Sequence, residues 1–316
     1  MNKLKIVFMG TTDFAVGCLD ALMNSSHQIK AVITAPDREA GRGKKITHSE
    51  VKKYAINNNF KLLQPINLKD ENFVNELKSI NADIFVVVAF RMLPELVWRI
   101  PLKGTINLHA SLLPQLRGAA PIHWAIINGL KETGVTTFFI NKKIDFGDII
   151  QQSKVKIGDI ENTGELYEKL KKDGSKLLIS TLKIINNDKF KSTRQTNSGK
   201  LLLAPKLNKI NTRINWSDSG KDIFNFVRGL SPYPSAWSKE KRSGKILKLH
   251  SVKFEKSKTN KINHTGTIQI DKNTIKIITK DGYLEVLELQ IEGKKRMTAS
   301  VFIQGFKLDE WSIIKY

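Results

Sequence analysis

The sequence holds one cysteine, Cys18, in 316 residues. No disulfide can close within the chain, and a metal cluster built on cysteines is excluded. Cys18 falls on the apolar side of an expected first helix with Ala15, Leu19 and Leu22, where it reads as a small buried hydrophobe and not as a reactive thiol. Long hydrophobic runs are missing too. The purest, residues 84–89, is far shorter than the roughly 18 residues of a membrane span. The first ten residues have the basic-then-apolar order of a signal peptide, but their apolar stretch is too short and they read as a first strand. The expectation is a folded cytoplasmic protein with no membrane partner. Glycine fingerprints are equally thin. Gly10-Thr11-Thr12 follows the first strand without Gly-x-Gly-x-x-Gly spacing, and no Gly-Lys-Ser/Thr is present, so a nucleotide cofactor has little support. His27, His48, His123, His250 and His264 are scattered without ligand spacing, and no metal is assigned.

Acidic side chains are few beside basic ones: 30 Asp and Glu stand against 52 Lys and Arg, a formal charge of +22. The excess is +8 over residues 1–190 and +14 over residues 191–316. A field of that sign attracts polyanions and makes association salt-sensitive. A lysine-rich solvated surface gives the same charge, so the number alone leaves both readings open. Residues 191–213 carry six basic and no acidic side chains, and residues 239–261 carry nine basic and two acidic, mixed with His250 and Phe254. The stretch Arg38-Glu-Ala-Gly-Arg-Gly-Lys-Lys45 reads as an exposed loop whose glycines allow close approach and whose charges match phosphates. Each stretch alone is a solvated face; together they favour a composite polyanion surface.

The length suits two domains. Strands are expected over 3–9, 29–34, 84–89, 105–109, 135–140 and 149–155. Helices are expected over 13–23, 50–57, 70–79 and 163–185, the last with Leu166, Leu170, Leu177 and Leu178 on its apolar side. Alternation of the two argues a Rossmann-like α/β domain with a mostly parallel sheet, and the unbroken apolar run at 84–89 fits a strand covered on both faces. The rhythm breaks after residue 190. A polar, basic segment leads to a short helix over 221–230, the turn-forming Ser231-Pro232-Tyr233-Pro234, and then short strands over 246–252, 267–270, 274–278 and 284–289. A small basic β-barrel of the oligonucleotide-binding type fits this pattern, as other small barrels do. The expected division is a domain over 1–190, a basic linker over 191–207 and an OB-like domain over 208–316.

The most informative stretch is Gly104-Thr-Ile-Asn-Leu-His-Ala-Ser-Leu-Leu-Pro114. Strand residues alternate faces, so Asn107 and His109 point the same way. They sit at the carboxyl end of an expected parallel strand, where open α/β sheets place their crevices. An amide donor beside an imidazole suits a developing oxyanion plus proton transfer. A pair that merely caps a loop looks the same in sequence. A carboxylate to orient His109 is available in Lys143-Ile-Asp-Phe-Gly-Asp148, where charge alone does not separate Asp145 from Asp148.

At these residues the chain resembles the folate-dependent formyltransferase superfamily. The likeness is closest at Asn107-Leu-His-Ala-Ser-Leu-Leu-Pro114, runs on through Arg117-Gly-Ala-Ala-Pro-Ile122, and continues at Ile144-Asp-Phe-Gly-Asp148, where the superfamily's catalytic aspartate matches Asp145. The resemblance implies a catalytic trio of Asn107, His109 and Asp145. It also implies a folate side formed by Phe90, Arg91, Leu93, Ser111, Leu112, Leu113 and Pro114. Members that act on methionyl-tRNA are singled out by Pro36-Asp-Arg-Glu-Ala-Gly-Arg-Gly-Lys-Lys45, by Ala204-Pro-Lys-Leu and Ile214-Asn-Trp-Ser217, by Arg228 with Ser231-Pro-Tyr-Pro-Ser-Ala-Trp237, and by Leu289-Gln-Ile-Glu-Gly-Lys-Lys-Arg-Met297. By that likeness the formyl donor is 10-formyltetrahydrofolate, the acceptor is initiator methionyl-tRNA, no metal is used and the enzyme is a monomer. Arg38, Arg42, Lys44, Lys45, Lys206 and Lys209 are implied to face the tRNA. The chain departs from the pattern in three places. Thr12 precedes Asp13 where a proline is usual, Phe90-Arg91 replaces a Tyr-Gly pair, and Phe146 stands where a threonine is usual.

Overall fold

The run that reads as a doubly covered strand is one: all five residues of the strand Ile84–Val88 are buried. The computed structural model describes residues 3–40, 45–187, 190–196, 199–240, 244–257, 265–271 and 274–305. The chain divides into two compact units. One comprises Met1–Gly118, Thr133–Val155 and Tyr167–Leu203, and the other Ala119–Glu132, Lys156–Leu166 and Ala204–Tyr316.

A seven-stranded sheet organises the first unit, in the order Ile149–Lys156, Glu132–Phe139, Thr105–His109, Ile84–Val88, Lys5–Gly10, Gln28–Ile33 and Leu62–Leu63. The pairings from Thr105–His109 through to Leu62–Leu63 are parallel, while Thr105–His109 meets Glu132–Phe139 antiparallel. Chain order reverses direction at Lys5–Gly10, because the next strands in sequence lie on one side of it and Ile84–Val88 on the other. Such a switch point opens a crevice at the carboxyl ends of the strands. The helices follow their sequence signals. Ser49 and Asp70 cap Glu50–Asn57 and Glu71–Ser79 by accepting the backbone N–H of Lys52 and Phe73, as short polar side chains do at helix starts. Gly10, which carries no nucleotide fingerprint, is needed for packing. A Cβ there would lie 2.6 Å from that of Ala15.

Several details differ from the sequence expectation, among them the strand expected over 135–140, which is Glu132–Phe139, and the helix Pro121–Ile127, which the sequence pattern does not predict. The first strand is Lys5–Gly10, two residues later at its start than the expected 3–9. The stretch read as an exposed loop after Asp37 is a hairpin, with Arg38–Ala40 paired antiparallel to Lys45–Thr47. Its alternation is too short to register as a strand pattern.

The second unit is built on antiparallel strands in the order Ala236–Lys239, Ile246–Lys256, Gly282–Ile291, Thr274–Thr279 and Ile268–Asp271, with Met297–Thr298 paired to Gly282–Ile291. Its core joins Trp216, Phe224, Leu249, Ile277 and Phe302. The helix Gly220–Gly229 packs there, started by Ser219 accepting from Asp222. Arg228 on that helix is buried, with Nη1 donating to the Glu161 carbonyl (2.8 Å) and Nε to Asn225 Oδ1 (3.0 Å). No helix among the described residues is long and apolar enough to cross a membrane.

Candidate active site

Strand parity places Asn107 and His109 on one face of Thr105–His109, at its carboxyl end. His109 is 7% exposed. Its Nε2 lies 3.0 Å from the Leu116 carbonyl oxygen and its Nδ1 lies 3.9 Å from Asp145 Oδ1. A carbonyl only accepts, so the Leu116 contact puts a proton on Nε2. The second nitrogen, Nδ1, then faces the Asp145 carboxylate, beyond direct hydrogen-bond distance. Asp145, not Asp148, is therefore the carboxylate beside this ring; Asp148 is exposed. The Asn107 side chain is half-buried, and among the described residues none hydrogen-bonds its carboxamide.

Asp145 is held on all sides. Its φ is +52°, in the left-handed region that aspartate visits more readily than most residues. Its Oδ2 accepts the Gly118 N–H at 3.0 Å, and its carbonyl accepts from Arg117 Nε and Gln195 Nε2, each at 3.1 Å. The Arg117 guanidinium lies 4.0 Å from the centre of the Phe146 ring. Phe146, unusual at this place in the sequence, thus stacks against the cation that holds its neighbour. Gly147 packs against the end of the strand Glu132–Phe139, where a Cβ would fall 1.5 Å from the Phe139 carbonyl oxygen.

The folate-side candidates lie in two loops that leave adjacent parallel strands. In the first, Arg91 donates through Nη2 to the Pro65 carbonyl (2.7 Å) and through Nη1 to that of Ile66 (3.1 Å). It also lies over Phe90, 5.3 Å from the ring centre. Arg91 thereby staples its loop to the segment at 65–66, which gives the departure from Tyr-Gly a structural role. Burial lowers the pKa of its guanidinium from the ordinary arginine value. Leu93 is buried. Arg91, Met92 and Leu96, with Ile66 and Leu68, line an open, mainly apolar groove of about 790 Å³. In the second loop Ser111 and Leu113 are buried while Leu112 and Pro114 are half-buried. Thr136 Oγ1 donates to the Ser111 carbonyl (2.6 Å) and accepts the Leu113 N–H (3.1 Å), fixing the loop onto the neighbouring strand. Sequence reasoning missed this threonine and also Gln195.

A family model described as "Formyl transferase" matches residues 4–182, and one described as "Formyl transferase, C-terminal domain" matches residues 206–307. A methionyl-tRNA formyltransferase from Flavobacterium johnsoniae is 48% identical over 312 residues, covering 98% of each chain. The chain belongs to the methionyl-tRNA formyltransferase family. A second member, from Bacteroides fragilis, is 47% identical over 98% of this chain and 97% of its own. Among solved structures, an N-formyltransferase from Helicobacter canadensis, determined with folinic acid and dTDP-3-aminofucose, superposes with a TM-score of 0.65 at 21% identity, over 90% of this chain and 98% of that one. At that identity the likeness is one of fold.

The basic residues expected to face the tRNA are spread over both units. Arg38 is exposed on the hairpin of the first. Arg42 and Lys44 lie outside the described residues, as does the side chain of Lys45. Lys206 and Lys209 are exposed on the second unit. Lys209 lies 5.9 Å from the Trp237 ring centre and its carbonyl accepts the Trp237 indole N–H at 3.0 Å. Among the described residues no group of three His, Cys, Asp or Glu side chains is placed to hold a metal.

Proposed function

We propose that this enzyme transfers the formyl group of 10-formyltetrahydrofolate to the α-amine of initiator methionyl-tRNA, giving N-formylmethionyl-tRNA for translation initiation. The observation that carries the chemistry is the His109 ring set between a carbonyl and the Asp145 carboxylate, beside a carboxamide free to donate. The acceptor follows from the near full-length likeness to enzymes that bear its name. The amine attacks the formyl carbon, and the bond from that carbon to the folate N10 breaks. One proton leaves the amine and one reaches N10. Asn107 donates to the formyl oxygen as negative charge builds on it, a contribution of about 3–4 kcal/mol for a well-placed donor. His109, faced by the Asp145 carboxylate, donates to the same oxygen and handles the proton. Direct donation from Nε2 requires the ring to exchange the Leu116 carbonyl for the substrate oxygen. No covalent intermediate on the protein is needed, since the carrier already holds an activated acyl group.

The folate lies along the loops of Phe90, Arg91 and Leu93 and of Ser111, Leu112, Leu113 and Pro114. Arg38, Arg42, Lys44 and Lys45 grip the acceptor end, while Lys206 and Lys209 support the tRNA from a domain over 208–316, reached through the linker at 191–207 from a catalytic domain over 1–190. The enzyme works in the cytoplasm as a monomer. Formyl transfer assayed on charged initiator tRNA, free methionine and a nucleotide-linked amino sugar tests the assignment. Turnover confined to the charged tRNA is expected. Turnover of the amino sugar with none on methionyl-tRNA would overturn it. For the tRNA contacts, Arg42→Ala and the pair Lys206→Ala with Lys209→Ala are expected to weaken tRNA binding and flatten its salt dependence.

A further inference from the structure

We propose that Gln195 is a positioning residue for the Asp145 carboxylate, acting through the main chain of the 145–147 turn and through Arg117; this rests on the catalytic role given above to Asp145. Gln195 lies in a segment whose sequence reads as a basic linker, yet it is 5% exposed. It is brought there by Thr193, which exchanges two backbone hydrogen bonds of 2.8 Å with Ile149. Every polar atom of its side chain is used. Nε2 donates to the carbonyls of Asp145 (3.1 Å) and Gly147 (2.8 Å), and Oε1 accepts from Arg117 Nη2 (2.6 Å) and Nε (3.1 Å). Arg117 in turn donates to the Asp145 carbonyl and stacks on Phe146.

The arrangement matters because Asp145 sits in left-handed backbone, which a non-glycine residue keeps only where its surroundings over-determine it. Two carbonyls on either side of Phe146 are gathered by one amide group. That fixes the turn and so the direction in which the carboxylate leaves it. Loss of the amide frees the Gly147 carbonyl, leaves the Asp145 carbonyl to Arg117, and removes an acceptor from Arg117. The carboxylate keeps its bond from the Gly118 N–H, but the turn that aims it is held by fewer bonds. A displacement of about 1 Å in a group that holds the proton handler is enough to cost on the order of 10²-fold in rate.

The test is the steady-state kinetics of Gln195→Ala and of Gln195→Met, the second of which fills the space without polar atoms, with thermal unfolding followed in parallel. The expected result is kcat lowered between tenfold and a hundredfold in both, KM for folate and for tRNA within about threefold of wild type, and folding retained. A folded variant with kcat within twofold of wild type overturns the proposal. So does a loss expressed in the folate KM, which would make Gln195 part of a binding pocket, and so does failure of both variants to fold, which would make it a stability residue. If the wild-type enzyme formylates an amine other than methionyl-tRNA, the acceptor assignment fails, and the same measurement on that amine still decides the role of Gln195.

Discussion

Asp145→Asn separates charge from shape at the proposed site. The main chain of the turn keeps its hydrogen bonds from Arg117 and Gln195, since both go to the Asp145 carbonyl. The new amide must present its oxygen to the Gly118 N–H, which the carboxylate meets at 3.0 Å. Its NH2 group is then turned towards His109 Nδ1, which lies 3.9 Å from Oδ1 in the wild type. The variant therefore loses the carboxylate charge that faces the ring when it takes up a proton in the reaction. For unit charges at this separation and an effective dielectric near 20, Coulomb's law gives about 4 kcal/mol. Both side chains are largely buried, so solvent screening removes only part of that. The expected loss in kcat is between about 10² and 10³, with KM for both substrates little changed, because the charge is needed as the oxyanion forms and not for binding. Single-turnover formylation at saturating folate and charged tRNA measures it. A folded Asn variant with kcat within threefold of wild type would refute the reasoning and remove Asp145 from the mechanism.

Three further outcomes follow from the geometry. Arg91→Ala removes charged hydrogen bonds to the Pro65 and Ile66 carbonyls, contacts typically worth about 1.5–3 kcal/mol, less at a partly exposed site. The folate KM should rise several-fold while kcat at saturation holds. Gly147→Ala forces a Cβ to within 1.5 Å of the Phe139 carbonyl oxygen, so the turn must move. A stability loss of about 3 kcal/mol or more in denaturant unfolding, with a fall in kcat, is expected, and wild-type unfolding would show the contact to be soft. The third concerns His250, whose pKa burial pushes below its ordinary value, with Arg296 adding to the effect, and whose Nε2 is buried without a hydrogen-bond partner among the described residues. The folded chain therefore binds fewer protons there than the unfolded chain. Stability should fall as pH drops below about 6.5, the unfolded value. Thermal unfolding between pH 7.5 and 5 measures the slope, and His250→Gln should make it shallower.

The part of the candidate site that was legible in the sequence is local. Asn107 and His109 share a face through a two-residue period that no distant contact can alter once 105–109 is a strand. The apolar run at 84–89 marked a covered strand, and the helix starts at Ser49 and Asp70 are written in residues that touch their own next turn. The exposed loop after Asp37 proved to be a hairpin because ladders of three residues are too short for a pattern to show.

The opening absences also ended in unequal ways. The lone Cys18 is fully buried and its thiol is pushed up to about 12 by burial, as an inert hydrophobe would be. The sequence by itself determined the class of the longer elements, the shared face of Asn107 and His109, and the excess of positive charge, none of which needs a distant contact. Charge and spacing did not separate Asp145 from Asp148; the resemblance pointed to Asp145, and the tertiary structure sets Asp145 beside His109. It also decided that Arg91 is a staple, and that Gln195 closes on Arg117 from 78 residues away and on Asp145 from 50. Those contacts depend on how strands are ordered in the sheet and where a non-regular segment crosses it. No local periodicity carries that information.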